Sequence, residues 1–390
     1  MYLYSAKYNS SNILDPDESN GSAAGSDRIL LVCVIMLLMA GLLAVYSSIA
    51  YFAELKFTTA SNLIAGHIIK IFISFLVLLI FTKIDYHQIV RFSRLAVLLS
   101  WLFLIIVTLY GNEVFGARRS LNVGAFSFQP SSLAAVSLLV HVVVLITRKQ
   151  EYIKDFMRSF VPVMIWVLIT CALIGLEDFS SAAILLILCL IVMFVGRINV
   201  MHIAALMLLG VIGAGLLVMQ TDQRQARISN YVDQVVHIKG DDFVTGQGYQ
   251  AQQAQIAMAQ GQLFGVGMGK SSQRDFLPAP YNDFIFSIIT EEYGLVGASF
   301  ILLLYTLVLV RGIMFIARRA IDQTGALLAV ACTLMIVMYG FVNAAVAAGL
   351  FPVTGLPMPM ISYGGTNMLF SGVMIGILLN ISKQKRSHDE

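Results

Sequence analysis

The chain has 390 residues, 58% of them hydrophobic and only 12% charged, with a mean hydropathy of +0.82. Soluble domains carry about a quarter charged residues, so most of this surface is built for lipid and a soluble enzyme is excluded. The net charge of +3 comes from 25 basic and 22 acidic residues spread thinly. No basic tract is long enough to neutralise a run of phosphates, which excludes a nucleic-acid partner.

A membrane-spanning helix needs about 20 mostly apolar residues. In chain order such runs lie near 29–52, 63–82, 95–110, 130–147, 159–176, 181–196, 200–219, 282–310, 324–348 and 365–381. They predict an all-α polytopic membrane protein of about ten transmembrane helices, with Gly196-Arg197-Ile198-Asn199 the only break between the sixth and the seventh. Residues 1–27 are polar, carry Asp15, Asp17, Glu18 and Asp27, and lack the basic start of a cleavable signal peptide. They read as a disordered cytoplasmic tail, followed by one transmembrane domain over 28–382 and a second cytoplasmic tail at 383–390. Lysines and arginines divide 16 to 8 between alternate sides of the ten-helix path, with Lys70 left inside a span. Cytoplasmic loops hold the excess, so both termini are expected in the cytoplasm. Cys33, Cys171, Cys189 and Cys332 each sit in an apolar run and read as small core residues. The six histidines are scattered without metal-ligand spacing, and no phosphate-cradling loop or dinucleotide fingerprint is present.

On this path the polar chemistry collects at the outer, extracytoplasmic face. It holds a loop at 111–129, a 61-residue loop at 220–280 between helices seven and eight, and a Pro/Gly-rich loop at 349–365. Pro130, Pro278, Pro280, Pro352, Pro357 and Pro359 mark the outer ends of spans, where a fixed φ sets sharp entries. Asp283 stands out. It follows Pro280 and an expected N-cap at Asn282, which places it in the first turn of the eighth helix, where the helix dipole favours an ionised carboxylate. Helical spacing puts Ser287, Thr290 and Gly294 on the same face, a polar stripe that should meet a cavity or another helix. Glu291 and Glu292 lie deeper, where ionisable groups are functional by default. This pattern fits either a catalytic carboxylate or dipole capping with a buried hydrogen-bond network. Arg118, Arg119, Lys270 and Arg274 suit either a phosphate group or anchoring to lipid headgroups. The glutamines between Gln220 and Gln273 suit sugar hydroxyls or a plain polar loop. Ser362 and Tyr363 suit a lipid path or a helix-start turn.

These same residues resemble the SEDS family (shape, elongation, division and sporulation) over nearly all ten spans. Four stretches carry the resemblance: Asn112 to Pro130; Gly248-Tyr249-Gln250 through Gln252 and Gln255; Gly267 to Gly294; and Gly349 to Asn380. The most specific are Asp283-Phe284-Ile285-Phe286 with Glu291-Glu292-Tyr293-Gly294, and Thr354-Gly355-Leu356-Pro357 with Pro359 and Ile361-Ser362-Tyr363-Gly364-Gly365. Gln273-Arg274-Asp275-Phe276-Leu277-Pro278 leans towards the division-type (FtsW) members over the elongation-type (RodA) members. The chain departs from the family at Ser132 and Ala135, where many members carry Glu and Lys, and at Glu177-Asp178-Phe179-Ser180-Ser181.

The resemblance implies a peptidoglycan glycosyltransferase in the bacterial cytoplasmic membrane, polymerising lipid II at the outer face with a class B penicillin-binding transpeptidase and other divisome or elongasome proteins. It places the catalytic aspartate on Asp283. Together with the loop positions above, the expected substrate contacts are Arg118, Arg119, Gln252, Gln255, Lys270, Ser271, Gln273, Arg274, Ser287, Ser362, Tyr363, Gly364 and Gly365. An inverting transfer needs a base on the attacking hydroxyl and positive charge on the departing diphosphate. No cofactor is indicated beyond room for a divalent cation, magnesium or manganese. Two rival readings share the polar cavity: a lipid II flippase without chemistry, and a scaffold that only recruits a transpeptidase. No internal repeat supports the transporter.

Overall fold

The computed structural model describes residues 26–55, 60–114, 117–123, 126–219, 247–277 and 280–384. The two expected tails lie almost wholly outside the described residues, as does the 220–246 part of the long loop. From the N-terminus the elements are α1 (Arg28–Leu55), α2 (Ala60–Lys83), α3 (Tyr86–Arg91) and α4 (Ser93–Tyr110). Three strands follow, β1 (Asn112–Val114), β2 (Ala117–Val123) and β3 (Phe126–Phe128), then α5 (Pro130–Arg148), α6 (Val161–Gly175), α7 (Phe179–Val195) and α8 (Val200–Met219). The remainder is α9 (Gln247–Gly261), α10 (Ile285–Val310), α11 (Gln323–Ala347) and α12 (Gly365–Lys383). Each of the ten apolar runs forms a helix, because in lipid a helix is the only open element that satisfies its own backbone. Among the described residues eight helices are long and apolar enough to cross a membrane, counting the π-helical extensions Phe156–Phe160 and Arg311–Ala317, and α7 is a shorter apolar helix. The chain is a multi-pass membrane protein.

Two elements were not foreseen. Loop 111–129 folds into an antiparallel sheet of order β1-β2-β3, with Leu121 opposite Phe128. The hydroxyl of Thr366 fastens it to the head of α12, donating to Ser127 O (2.8 Å) and accepting from Gln129 N (3.0 Å). The long loop also contains α9, a glutamine-rich helix packed on α10.

The centre of the bundle is formed by α5, α11 and α12, whose spans are 72%, 72% and 78% buried, whereas only 17% of the α2 span is enclosed. Even so, α2 packs closely along α12. The two helices run parallel: Ser74 Oγ donates to Met368 O, and one face further on Thr82 O accepts from Asn380 Nδ2. Small residues permit this approach, as in other membrane helix pairs. A Cβ on Gly376 would lie 2.6 Å from Phe81 Cβ and 2.8 Å from Leu78 O.

At the end of the bundle that carries the described chain ends, Asp27 pairs with Arg311 (2.5 Å) and its amide donates to Ser382 Oγ. There α3 is pinned to α11: Tyr86 OH donates to Asp322 Oδ1 (2.7 Å), and His87 lies between Asp85 (2.8 Å) and Asp322 (3.5 Å). The Asp322 contact raises His87 against the effect of burial, and Asp85 adds to it, bringing the imidazolium to about 9. Burial alone would raise Asp322, but its bonds to His87 and Tyr86 prevail and bring it to about 2.

Two outcomes are expected. Gly376→Leu overpacks the α2–α12 seam and lowers stability by about 1–3 kcal/mol, read as the melting point in detergent. Gly210→Ala, which meets nothing within 4 Å, leaves it unchanged. Because the folded pKa of His87 is raised above its ordinary 6.5, its contribution is complete below pH 6.5 and is lost as pH climbs through 9. The melting point of the wild type therefore falls between pH 6.5 and 9.5 more steeply than that of His87→Gln.

Candidate functional site

The chain reaches α10 through a turn at 280–284, and helical structure begins only at Ile285, with Phe284 in the N-cap position. Asp283 therefore stands in the turn ahead of the helix, not in its first turn, and Asn282 is not the cap. The reason is competition for the turn's carbonyls. Ser362 Oγ donates to Asn282 O (2.7 Å), Asn343 Nδ2 on α11 donates to Asp283 O (2.9 Å), and Tyr363 N donates to Tyr281 O (2.9 Å). Asn343 also donates to Leu356 O (2.8 Å), joining the turn to the 349–364 loop. The Asp283 side chain is half-buried beside Gly355, which is glycine for its positive φ of 69°, since a Cβ there would stand in ordinary contact, 3.7 Å from Oδ2. The Tyr281 ring meets Tyr363 edge-on at 5.2 Å. Burial, reinforced by Tyr363 and Asp283, pushes the Tyr281 hydroxyl up to about 12.

Below this turn the helix is interrupted. Gly294 adopts φ 67° and ψ −168°, which breaks α10 between Glu292 and Leu295. The four backbone groups thereby released are taken up by the segment after α9. Val266 N and Gly267 N donate to the carbonyls of Glu291 (2.9 Å) and Glu292 (3.0 Å), and Leu295 N and Val296 N donate to those of Gln262 (2.9 Å) and Leu263 (3.2 Å). The expected polar stripe is thus not continuous. Ser287 is fully buried and donates back to Phe284 O, Thr290 donates back to Phe286 O, and a Cβ on Gly261 of α9 would collide with Thr290 O. Ser287 lines no opening.

Glu291 and Glu292, both buried, hold the same segment by their carboxylates. Glu291 accepts from Ser271 Oγ (2.5 Å), Ser272 N (2.9 Å), Ser272 Oγ (3.2 Å) and Gln273 N (3.3 Å). Glu292 accepts from Gly269 N (3.1 Å) and from Ser47 Oγ of α1. Charged groups can be buried when hydrogen bonds surround them, and here they are supplied by a loop folded onto the helix. Arg274 belongs to this clamp, donating to Ser47 O (2.9 Å) and pairing with Asp275 (3.4 Å).

The expected contacts therefore divide. Ser271, Gln273, Arg274, Ser287 and Ser362 spend their described bonds inside the fold. Lys270 and Gln252 are exposed, and Gln255 lies against Gly349. Arg118 and Arg119 lie on β2, Arg118 in register with Glu113. Tyr363 stands between Tyr281 and α2, and Gly364 and Gly365 open α12. Two residues passed over in the sequence reading join this region. Lys70 of α2 places its ammonium 3.7 Å from the centre of the Tyr363 ring, and Asn343 holds the Asp283 turn. The signal for Lys70 was its charge inside a span; Asn343 gave none, because its role depends on the loop that reaches it. Asp178, in the stretch where the chain departs from the family, is a buried cap accepting from Ser181 N and Oγ. Among the described residues no three His, Cys, Asp or Glu side chains converge as metal ligands.

A helical, multi-pass membrane protein with an interrupted helix and an aspartate in a braced turn is the class this architecture defines. The model of the FtsW/RodA/SpoVE family, described as a cell cycle protein, matches residues 27–387, and the chain belongs to that family. It is 33% identical over 364 residues to stage V sporulation protein E of Bacillus subtilis (strain 168), covering 92% of this chain and 98% of that one. It is 30% identical over 366 residues to a probable peptidoglycan glycosyltransferase FtsW of Geobacter sp. (strain M18), covering 93% and 98%. Among solved structures, the rod shape determining protein RodA of Thermus thermophilus superposes with a TM-score of 0.66 at 22% identity, over 92% of this chain and 97% of that one. A chain from a peptidoglycan synthase complex gives 0.71 at 22% identity, over 93% and 99%. At that identity the two structures speak for the fold alone.

The clamp is open to a direct test. Glu291→Gln takes away one carboxylate oxygen from the group that accepts from Ser271 Oγ and from the amides of Ser272 and Gln273, a loss of about 1–3 kcal/mol. Hydrogen exchange should quicken at these two amides and the melting point should drop; unchanged exchange would show that the carboxylate does not hold the loop.

Proposed function

We propose that the chain is a peptidoglycan glycosyltransferase that polymerises lipid II at the outer face of the cytoplasmic membrane, with Asp283 as its base. The observation that carries this reading is a carboxylate in a turn braced from α11 and from the 358–363 loop, within a family match along almost the whole chain. The reaction joins two lipid-linked saccharides. The 4-hydroxyl of one sugar attacks the anomeric carbon of the other, its proton passes to the Asp283 carboxylate, and the bond to the diphosphate breaks with its electrons leaving on the polyprenyl diphosphate. Inversion at the anomeric carbon follows from attack opposite the leaving group. A carboxylate held by its own backbone is pre-positioned for that proton.

Positive charge for the departing diphosphate falls to Lys270, which is exposed, and to Arg118 and Arg119 of β2, since Arg274 is engaged by Ser47 and Asp275. A divalent cation, if one is bound, would add charge at the same diphosphate. Both termini lie in the cytoplasm in this reading, as the lysine and arginine balance requires. A class B penicillin-binding transpeptidase is the partner, in keeping with the likeness to a peptidoglycan synthase chain. A division role is favoured by the FtsW relatives and by the Gln273–Pro278 stretch. The interrupted α10 would also suit a flippase. Its break, however, is met by the chain's own 262–267 backbone, which takes up four of the backbone groups that a cargo would otherwise meet.

Purified protein given lipid II should form glycan resolvable on gels. General-base loss of about 10²- to 10⁴-fold is expected for Asp283→Asn, with insertion and melting unchanged. A flippase would make no glycan, and a scaffold would be indifferent to the substitution; polymerisation by Asp283→Asn at the wild-type rate would rule out the assignment.

A further inference from the structure

The least enclosed of the eight long spans among the described residues, α2, carries two ionisable side chains three residues apart, His67 and Lys70, and that spacing places them on one face. The face meets the head of α12. The His67 ring lies 5.3 Å from that of Tyr363, over which the Lys70 ammonium sits. Lys70 makes no ion pair among the described residues. His67 is 1% exposed, and both its ring nitrogens are without a hydrogen-bond partner.

Directly after Tyr363, α12 begins with Gly364 as its cap, a residue that offers no side-chain acceptor to the first amides. In the same turn Asn367 Nδ2 has no partner. Gly364, Gly365 and Lys70 are half-buried, so a ligand can reach them, whereas the ring nitrogens of His67 and Asn367 Nδ2 are closed off from the surface. An ammonium beside Tyr363 and the positive end of a 19-residue helix that starts at the next residues thus lie close together, and no described acceptor is bonded to either of them or to the buried nitrogens of His67 and Asn367. Donors without acceptors, on an otherwise lipid-facing helix, are the signature of a site for an anion brought from outside the fold.

We propose that Lys70 and the N-terminus of α12 form an anion subsite that holds the diphosphate of the polyprenyl-linked donor, with the unpartnered nitrogens of His67 and Asn367 in its wall. The nature of the anion rests on the function proposed above; the existence of the subsite does not. Tyr363 links the two places. Its ring carries both the Lys70 contact and the edge-on Tyr281 contact, and its amide is bonded to Tyr281 O, two residues before Asp283. The leaving group would then be held at the Lys70 contact while the base stands beyond the Tyr281 contact. Lys70 is in this sense a leaving-group residue that touches substrate.

The test uses the full-length protein in nanodiscs of zwitterionic lipid, with polyprenyl diphosphate and the matching polyprenol as probes. Wild type should bind the diphosphate, Lys70→Gln at least tenfold more weakly, and Lys70→Arg nearly as well as wild type, with polyprenol binding unchanged in all three. Melting points of the variants show that each is folded, and Asn367→Leu, which removes a donor without removing charge, should weaken diphosphate binding in the same direction. Equal binding by wild type and Lys70→Gln would overturn the subsite. Displacement of the diphosphate by an equimolar excess of phosphatidylglycerol would overturn its assignment to the donor and mark a general phospholipid headgroup site. Asp283→Asn separates the two proposals: if it still polymerised lipid II the catalytic reading would fall, while its diphosphate binding would still report on Lys70.

Discussion

The break in α10 at Gly294 is the constraint on which the polar end of the bundle depends. In hydrocarbon an unpaired backbone group is too costly to leave exposed, so a broken spanning helix must be repaired by protein. Residues 262–267 make that repair through four backbone bonds. Once they are fixed there, residues 269–273 are delivered to the Glu291 and Glu292 carboxylates, which could not be buried without them. The break, the loop and the two acids therefore stand or fall together. Gly265 and Gly294 allow the two backbones to touch: a Cβ on either would collide with the carbonyl facing it.

The same logic, with different partners, sets the turn that carries Asp283. Its carbonyls are held by Ser362, Asn343 and Tyr363, from the 358–363 loop and α11. That loop is anchored in turn through Met358 N on Ser362 Oγ and through Tyr305 OH on Pro359 O. A side chain is best positioned when the backbone that carries it is fixed beforehand, and here the bracing falls on the backbone carbonyls of the Asp283 turn. The residues of this family signature thus do two kinds of work. Ser271, Arg274, Glu291, Glu292 and Ser362 hold the frame, while Asp283 is carried half-buried in a turn of it and Lys270 is exposed.

Much of this was legible in the sequence. Hydropathy placed all ten helices within a few residues, and the weak Gly196–Asn199 break is a real one, with Arg197 at positive φ between α7 and α8. Asp283 could be singled out from local residues alone. The errors share one cause. Reading 282–310 as one unbroken helix put Ser287, Thr290 and Gly294 on a single face and moved Asp283 into the first turn, because spacing assumes that helix geometry persists. Nothing local to Gly294 reveals that a segment some thirty residues earlier will fill the gap. The sheet in 111–129 escaped for a similar reason: strands this short are specified by their pairing and by Thr366, not by a pattern of their own.

The sequence by itself determined where the chain crosses the membrane and which residue types gather between the crossings, since transfer into lipid depends on each residue's own side chain and sums along a segment. It also carried the family signature. Only the tertiary structure decided which polar groups are already satisfied and which still have a bond to offer. A hydrogen bond needs a partner at the right distance, and those partners stand far off in the sequence: Ser47 for Glu292, Asn343 for the Asp283 turn.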